Sequence, residues 1–222
     1  MKGFSKMEYY IPFNIHYNLF IMLKTLLNKF NQYNIKYFVS CGGLIGYHRH
    51  NKGFIPWDDD IDICVSEKDK KLIRKCLIEI CNENKNYTYK LNRVDRIYNN
   101  SLFIDLFYLK YYEDKNYYHY DNLILKDAYK NEYIYKDEIF PLKQVDYYLY
   151  MPDGVVYDSI KINIPNKSIE FLNRAYKNWD KIYKMHRHHD LYLKVLYTDP
   201  TTIKYLITQI KNYIHAYSKD YL

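Results

Sequence analysis

Between residues 13 and 31, apolar side chains recur at helical spacing: Ile15, Leu19, Met22, Leu23, Leu26, Leu27 and Phe30. That stripe predicts an amphipathic helix with one face in a core. A short apolar run then predicts a strand over 36–40, and Gly42-Gly43 ends it with a turn that a short helix follows to about His48. Residues 51–57 read as a loop, with Pro56 stopping any helix. From Asp58 the pattern changes to strict alternation. Asp58, Asp60 and Asp62 fall on one face of a strand, and Ile61, Ile63 and Val65 on the other. Ser66 with Asp69 reads as a capping box opening a second amphipathic helix, whose buried stripe is Leu72, Ile73, Cys76, Leu77 and Ile80. Residues 87–91 and 94–98 read as a strand pair around Asn92-Arg93, and 102–108 as a nearly continuous apolar strand with one carboxylate, Asp105, inside it.

The second half is less regular. Residues 111–150 are rich in tyrosine and charge and weakly periodic. Residues 147–151 and 155–164 read as strands joined by the turn Pro152-Asp153-Gly154. A helix is expected over 168–176, after Pro165-Asn166. A last helix is capped by Asp199, with Pro200 in its first turn and Ile203, Leu206, Ile207, Ile210 and Ile214 on one face. No repeats, low-complexity tracts or linkers interrupt the chain. The expected fold is α/β: a small mixed sheet flanked by helices, with Asp60, Asp62 and Asp105 at one exposed edge and a helical C-terminal part. The 222 residues read as a single domain, with a catalytic core over about 13–110 and an extension over about 111–222.

Composition adds limits. Hydrophobic residues make up 48% of the chain, enough for a sizeable core. The longest purely apolar run, 19–23, is far short of the roughly 20 residues that cross a bilayer, and the N-terminus lacks a signal-peptide pattern. A cytoplasmic, soluble protein is expected. Cys41, Cys64, Cys76 and Cys81 form no CxxC pair and read as reduced, mostly buried thiols. The net charge of +7 suits phosphorylated or nucleotide ligands but is too modest to imply nucleic-acid binding. The thirty tyrosines read as coding bias or as a broad amphipathic surface.

The chemistry concentrates in two places. Asp58, Asp59, Asp60 and Asp62 put four carboxylates into five positions. Their face cannot enter a core, because uncompensated carboxylates repel one another and are costly to bury. Carboxylates two apart on a strand lie roughly 6.5–7 Å apart along it and can bracket divalent cations about 3.5–4 Å apart. Hard oxygen ligands suit Mg²⁺ or Mn²⁺, with phosphate oxygens completing the shell. Upstream, Gly42 and Gly43 at a strand-to-helix junction offer free amides for phosphate. Asp105 on a neighbouring strand is placed to complete a three-carboxylate site; the plain alternative is a salt bridge to a buried Arg or Lys.

Cys41-Gly42-Gly43-Leu44-Ile45-Gly46, then Arg49, then Gly53-Phe54-Ile55-Pro56-Trp57-Asp58-Asp59-Asp60-Ile61-Asp62-Ile63 resembles the LicD family. That family includes bacterial phosphorylcholine transferases and resembles the fukutin group. The resemblance implies a nucleotidyltransferase fold. It also implies transfer of a phospho-alcohol from a CDP-activated donor to a sugar or glycan hydroxyl. On it, Asp60, Asp62 and Asp105 are the catalytic and metal-binding residues, and Arg49 is a family arginine gripping phosphate beside Gly42 and Gly43. Lys52, in the same basic loop, is a further phosphate contact. Asp58 is expected to support the site and Asp59 to point away; Trp57 stacks on a base or packs. Tyr176-Lys177-Asn178-Trp179 is similar to the family's Tyr-Gly-x-Trp segment, with Lys177 in place of the glycine. Fukutin-type members are Golgi membrane proteins; this chain is more similar to the soluble bacterial ones.

Two alternatives share these residues. One is a nucleotidyltransferase that uses an NTP and releases pyrophosphate. The other is a non-catalytic glycan-binding module, against which the intact acidic block argues. A cluster of His186, His188 and His189 beside Asp190 reads as a solvated loop or, less simply, a metal site.

Overall fold

The computed structural model describes residues 13–55, 58–120, 133–151, 153–176, 178–180, 182–185 and 193–196. Helix α1 (Phe13–Gln32) buries the stripe expected of it: Leu19, Phe20, Met22, Leu23, Leu26 and Phe30 are wholly inaccessible. Each such side chain contributes roughly 1.5–3 kcal/mol of burial free energy. Strand β1 (Tyr37–Ser40) is buried at every position. Helix α2 (Cys41–Arg49) starts directly at its end. The expected Gly-Gly turn is therefore not a turn. The reversal occurs at Cys41, which takes φ of 45°, and both glycines lie inside the first helical turn.

Strand β2 (Asp60–Ser66) alternates partly exposed Asp60 and Asp62 with buried Ile61 and Ile63, as the period of two requires. It begins two residues later than expected, because the Asp58 amide donates back to the Ile55 carbonyl in a turn. Ser66 accepts from the Lys68 amide at 3.3 Å and opens a 3₁₀ turn (Glu67–Asp69); helix α3 (Lys70–Glu83) follows. Asp69 thus sits at the N-cap of α3 without a side-chain cap bond, rather than as the partner in a capping box.

Strands β3 (Tyr87–Lys90), β4 (Asp95–Asn99) and β5 (Leu102–Tyr112) complete the central sheet in the order β1-β2-β5-β4-β3. β5 runs parallel to β2 and antiparallel to β4. Its near-continuous apolar run is what an interior strand covered on both faces needs. β5 then extends to pair with β6 (Tyr117–Tyr120), which pairs with β7 (Tyr133–Tyr135). Among its described residues, the weakly periodic middle of the chain therefore holds strands and one short helix, α4 (Lys136–Ile139). A separate hairpin of β8 (Lys143–Tyr150) and β9 (Val156–Ile164) precedes α5 (Ser168–Ala175). The mixed sheet flanked by helices is the α/β architecture expected.

Strands β10 (Ile182–Met185) and β11 (Leu193–Leu196) pair with each other. The His186–His189 cluster, the helix expected after Asp199, Trp57 and Lys177 lie outside the described residues. Among the described residues no helix is long and apolar enough to cross a membrane. None of the four cysteines forms a disulfide; Cys41, Cys64 and Cys76 are buried and Cys81 partly so.

Register aligns a polar row across the sheet. Ser40 faces Asp62, Asp62 faces Asp105, Asp105 faces Arg96, and Arg96 faces Lys90. The row crosses the sheet from β1 to β3, and its carboxylates, Asp62 and Asp105, lie on the interior strands β2 and β5.

Candidate active site

The carboxylates of Asp58, Asp59 and Asp60 each offer an oxygen within 4.8 Å of the others. Asp59, expected to point away, is buried and joins the cluster. The cause is the late start of β2: with Asp58 and Asp59 ahead of the strand, strand alternation does not separate them. Asp62 continues the cluster along β2, and Asp105 faces Asp62 from β5.

Two elements hold the acidic turn in place. Gly42 of α2 lies against it: a Cβ built there would fall 2.3 Å from Asp58 Oδ2. A side chain at Gly42 would displace the Asp58 carboxylate, and the start of α2 brings its positive dipole end to the carboxylates. Gly43 serves packing, since a Cβ there would meet Val39 and Ile61. On the other element, His16 of α1 sits 3.0 Å from the Asp58 carbonyl through Nε2. A carbonyl only accepts, so Nε2 carries the proton. Burial pushes the His16 pKa down to about 4, which keeps the ring neutral. The same ring stacks on Phe54 at 5.1 Å.

The site is electrostatically strained by its own charge. Asp58, Asp60 and Asp62 keep some solvent contact yet lie deep among protein atoms. Burial, then the charges of Asp60, Asp59 and Asp62, raises the Asp58 pKa well above the carboxylate range. Burial, then Asp59 and Asp105, raises Asp60 to about 7. Burial, then Asp60 and Asp105, raises Asp62 well above its ordinary value, against a hydrogen bond from Cys41 and the charge of Arg96.

Asp105 is paired. Arg96 grips it with Nε and, at 2.8 Å, with Nη2, while its guanidinium lies over the Phe103 ring at 4.7 Å from the centroid. Both sequence readings of Asp105 are thus present, a salt bridge to arginine and a place beside Asp62. Arg96 was not singled out from sequence, because its partner is set by the register of β4 on β5.

Arg49 lies at the end of α2. It donates to the Trp179 carbonyl at 2.6 Å and to the His50 ring at 3.0 Å, tying α2 to the segment after α5. Lys52 is exposed, with φ of 64°, and its carbonyl accepts from the Tyr148 amide at 2.8 Å. The cation acting on Asp60 and Asp62 is Arg96.

A divalent cation fits this donor set. The ligands are clustered hard oxygens whose mutual repulsion it would relieve, in a cradle that a Cβ at Gly42 would fill. The buried Tyr147 hydroxyl has no hydrogen-bond partner.

Residues 34–151 match the family model described as LicD/FKTN/FKRP, nucleotidyltransferase domain. The chain is 30% identical over 191 residues to the uncharacterized protein RP689 of Rickettsia prowazekii (strain Madrid E), covering 86% of this chain and 66% of that protein. It is 31% identical over 179 residues to the uncharacterized protein RT0683 of Rickettsia typhi (strain ATCC VR-144 / Wilmington), covering 79% of this chain and 52% of that one. The chain therefore spans between half and two thirds of these relatives' lengths.

Proposed function

The chain belongs to the LicD family of nucleotidyltransferase domains, and from that premise we propose a metal-dependent phosphotransferase that moves a phospho-alcohol from a CDP-activated donor to a sugar or glycan hydroxyl. The observation that carries this reading is the packing of Asp58, Asp59 and Asp60 within 4.8 Å, continued by Asp62 and Asp105 across two adjacent strands. Such a concentration of charge is costly unless a cation and its anionic ligand use it.

Asp60 and Asp62 would hold Mg²⁺ or Mn²⁺. Bound there, the cation supplies charge neutralisation for the donor diphosphate and the departing CMP. The Gly42 and Gly43 amides, at the positive end of α2, steady the donor phosphates. Arg49 and Lys52, at the end of α2 and in the loop behind it, are the remaining proposed phosphate contacts. The acceptor oxygen bonds to the phosphorus bearing the alcohol as the bond from that phosphorus to the CMP oxygen breaks. The transition state is loose, so placement and charge matter more than early proton removal. Asp105 takes the hydroxyl proton late. A carboxylate held by Arg96 is a weak base, and a weak base suffices once the oxygen is bonding to phosphorus.

Phosphorus NMR of the protein with Mg²⁺ tests the reading, offering CDP-choline, CDP-ribitol and CDP-glycerol and then CTP and ATP, each with a pool of sugar acceptors. Acceptor-dependent CMP release is expected. Pyrophosphate release from CTP or ATP would make the protein a nucleotidyltransferase instead. Absence of both turnover and divalent-cation binding would point to a glycan-binding module.

A further inference from the structure

Arg96 lies on the sheet face that carries Asp62 and Asp105, and two contacts fix its guanidinium. Nε and Nη2 both donate to the Asp105 carboxylate, the latter at 2.8 Å, and the guanidinium carbon lies 4.7 Å from the centroid of the Phe103 ring. Phe103 in turn meets the Tyr98 ring at 5.9 Å. The ion pair is lopsided: the Asp105 side chain is 7% exposed and the Arg96 side chain 37%, so the arginine keeps a surface toward solvent above a buried partner. Nη1 stands outside the ion pair, which leaves a fork already held on Asp105 with donors for a second acceptor. Register puts this arginine in line with the acidic site. Asp62 faces Asp105 and Asp105 faces Arg96; in the next row of the same face, Asp60 faces Phe103 and Phe103 faces Tyr98. Strands lie about 4.8 Å apart, so the Arg96 backbone is about 10 Å from that of Asp62, and its side chain reaches back over Phe103 to Asp105. Beyond Arg96 the row ends at Lys90, which is exposed. The row thus passes from two carboxylates to two cations. Like charges directly opposite on a sheet are unfavourable, and a divalent cation on Asp60 and Asp62 would add positive charge on the far side of Asp105. Phosphate oxygens that bridge this cation and Arg96 satisfy both.

We propose that Arg96 binds the diphosphate of the donor and forms, with the cation on Asp60 and Asp62, a two-sided clamp across Asp105. The proposal rests on the metal-dependent reading above and adds a phosphate contact outside the α2 loop. The grip of Asp105 and the ring of Phe103 set the plane of the guanidinium before the donor arrives, so little side-chain freedom is lost on binding. Asp105 has a second task in this arrangement, which is to aim the arginine. Arg49 is placed differently: its donors go to the Trp179 carbonyl and the His50 ring at the far end of α2.

Inorganic pyrophosphate, titrated calorimetrically into the Mn²⁺-saturated full chain, separates this role from that of a counter-ion for Asp105. Arg96→Gln is expected to weaken pyrophosphate binding about tenfold or more, the scale of one charge-assisted hydrogen bond. Its Kd for Mn²⁺ alone is expected to be unchanged or tighter, because a positive charge beside the carboxylates is gone. Since Arg96→Gln leaves a buried carboxylate without its partner, Asp105→Asn and Asp105→Asn/Arg96→Gln form a second pair, between which the same loss is expected. An unchanged pyrophosphate affinity in both pairs, or a Mn²⁺ affinity that falls in parallel with it, would make Arg96 a structural counter-ion and overturn the proposal. Wild-type protein that binds Mn²⁺ but not pyrophosphate would overturn it too, with the metal-dependent reading left standing. Wild-type protein that binds no Mn²⁺ would overturn both.

Discussion

At the residue scale, neighbours in sequence have unlike roles. Asp62 faces both Ser40 and Asp105 at the centre of the polar row. Asp62→Asn is expected to abolish transfer while the fold survives, since it relieves repulsion in the metal-free protein. Full activity by phosphorus NMR would rule out the metal site. The glycines separate in the same way. A Cβ at Gly46 would fall 2.4 Å from the Gly53 carbonyl oxygen, which is backbone and cannot rotate away. Gly46→Ala is therefore expected to cost about 1–3 kcal/mol in urea unfolding. At Gly42 the obstacle is the Asp58 side chain, which can move. Gly42→Ala should leave stability nearly unchanged yet weaken Mn²⁺ binding by about tenfold, as displaced ligand supports do; calorimetric titration reads this directly.

At the element scale, the strand pair that supplies Arg96 is itself fastened by Asp95. This wholly buried carboxylate accepts from Arg74 of α3 at 2.8 and 3.0 Å, from the Asn92 amide at 2.7 Å and from the Tyr108 hydroxyl of β5 at 2.7 Å. One side chain thus joins α3, the β3–β4 turn and β5. Asp95→Ala leaves several donors without an acceptor, but Arg74 is partly exposed and regains water. The expected loss is therefore below that of a fully buried pair, about 2–3 kcal/mol by urea unfolding. Because β4 carries Arg96, the variant should also lose activity beyond what its folded fraction explains.

At the scale of the whole molecule, the acidic site should set the dependence of stability on pH and metal. Above pH 6.5, His16 and His50, whose pKa values are pushed down by burial to about 4 and about 3, are neutral in the folded state and largely so in the unfolded state. The raised carboxyls then dominate. A carboxyl with a folded pKa above its unfolded one favours the fold below the unfolded value, and that contribution is lost as pH rises through the folded value. With Asp60 at about 7 and Asp58 and Asp62 also raised, the metal-free protein should lose stability as pH rises from 6.5 through 7. The loss should be about 1 kcal/mol per pH unit for each proton that the folded state keeps and the unfolded state has lost. Mg²⁺ or Mn²⁺ should raise the melting temperature more at pH 8 than at pH 6, since protons and cation compete for the same oxygens. Equal metal-induced shifts at the two pH values would count against the carboxylates as the binding site.

The sequence by itself determined the elements and the chemical kind of site. Helical and strand periodicities located α1, β2, α3 and β5, because burial of one face imposes a local repeat. The density of aspartates marked the acidic block, because uncompensated charge cannot enter a core. Which carboxylates meet was decided only by tertiary structure. The start of β2 at Asp60 rather than Asp58 left Asp59 free of strand alternation and beside Asp58 and Asp60, where alternation had placed it outside. The ion pair of Asp105 with Arg96 and the support of Asp58 by His16 join residues 9 and 42 positions apart in the chain. Such contacts depend on strand register and on how α1 and β8 close over the acidic turn. Those are properties of the packed molecule, and no local pattern of residues encodes them.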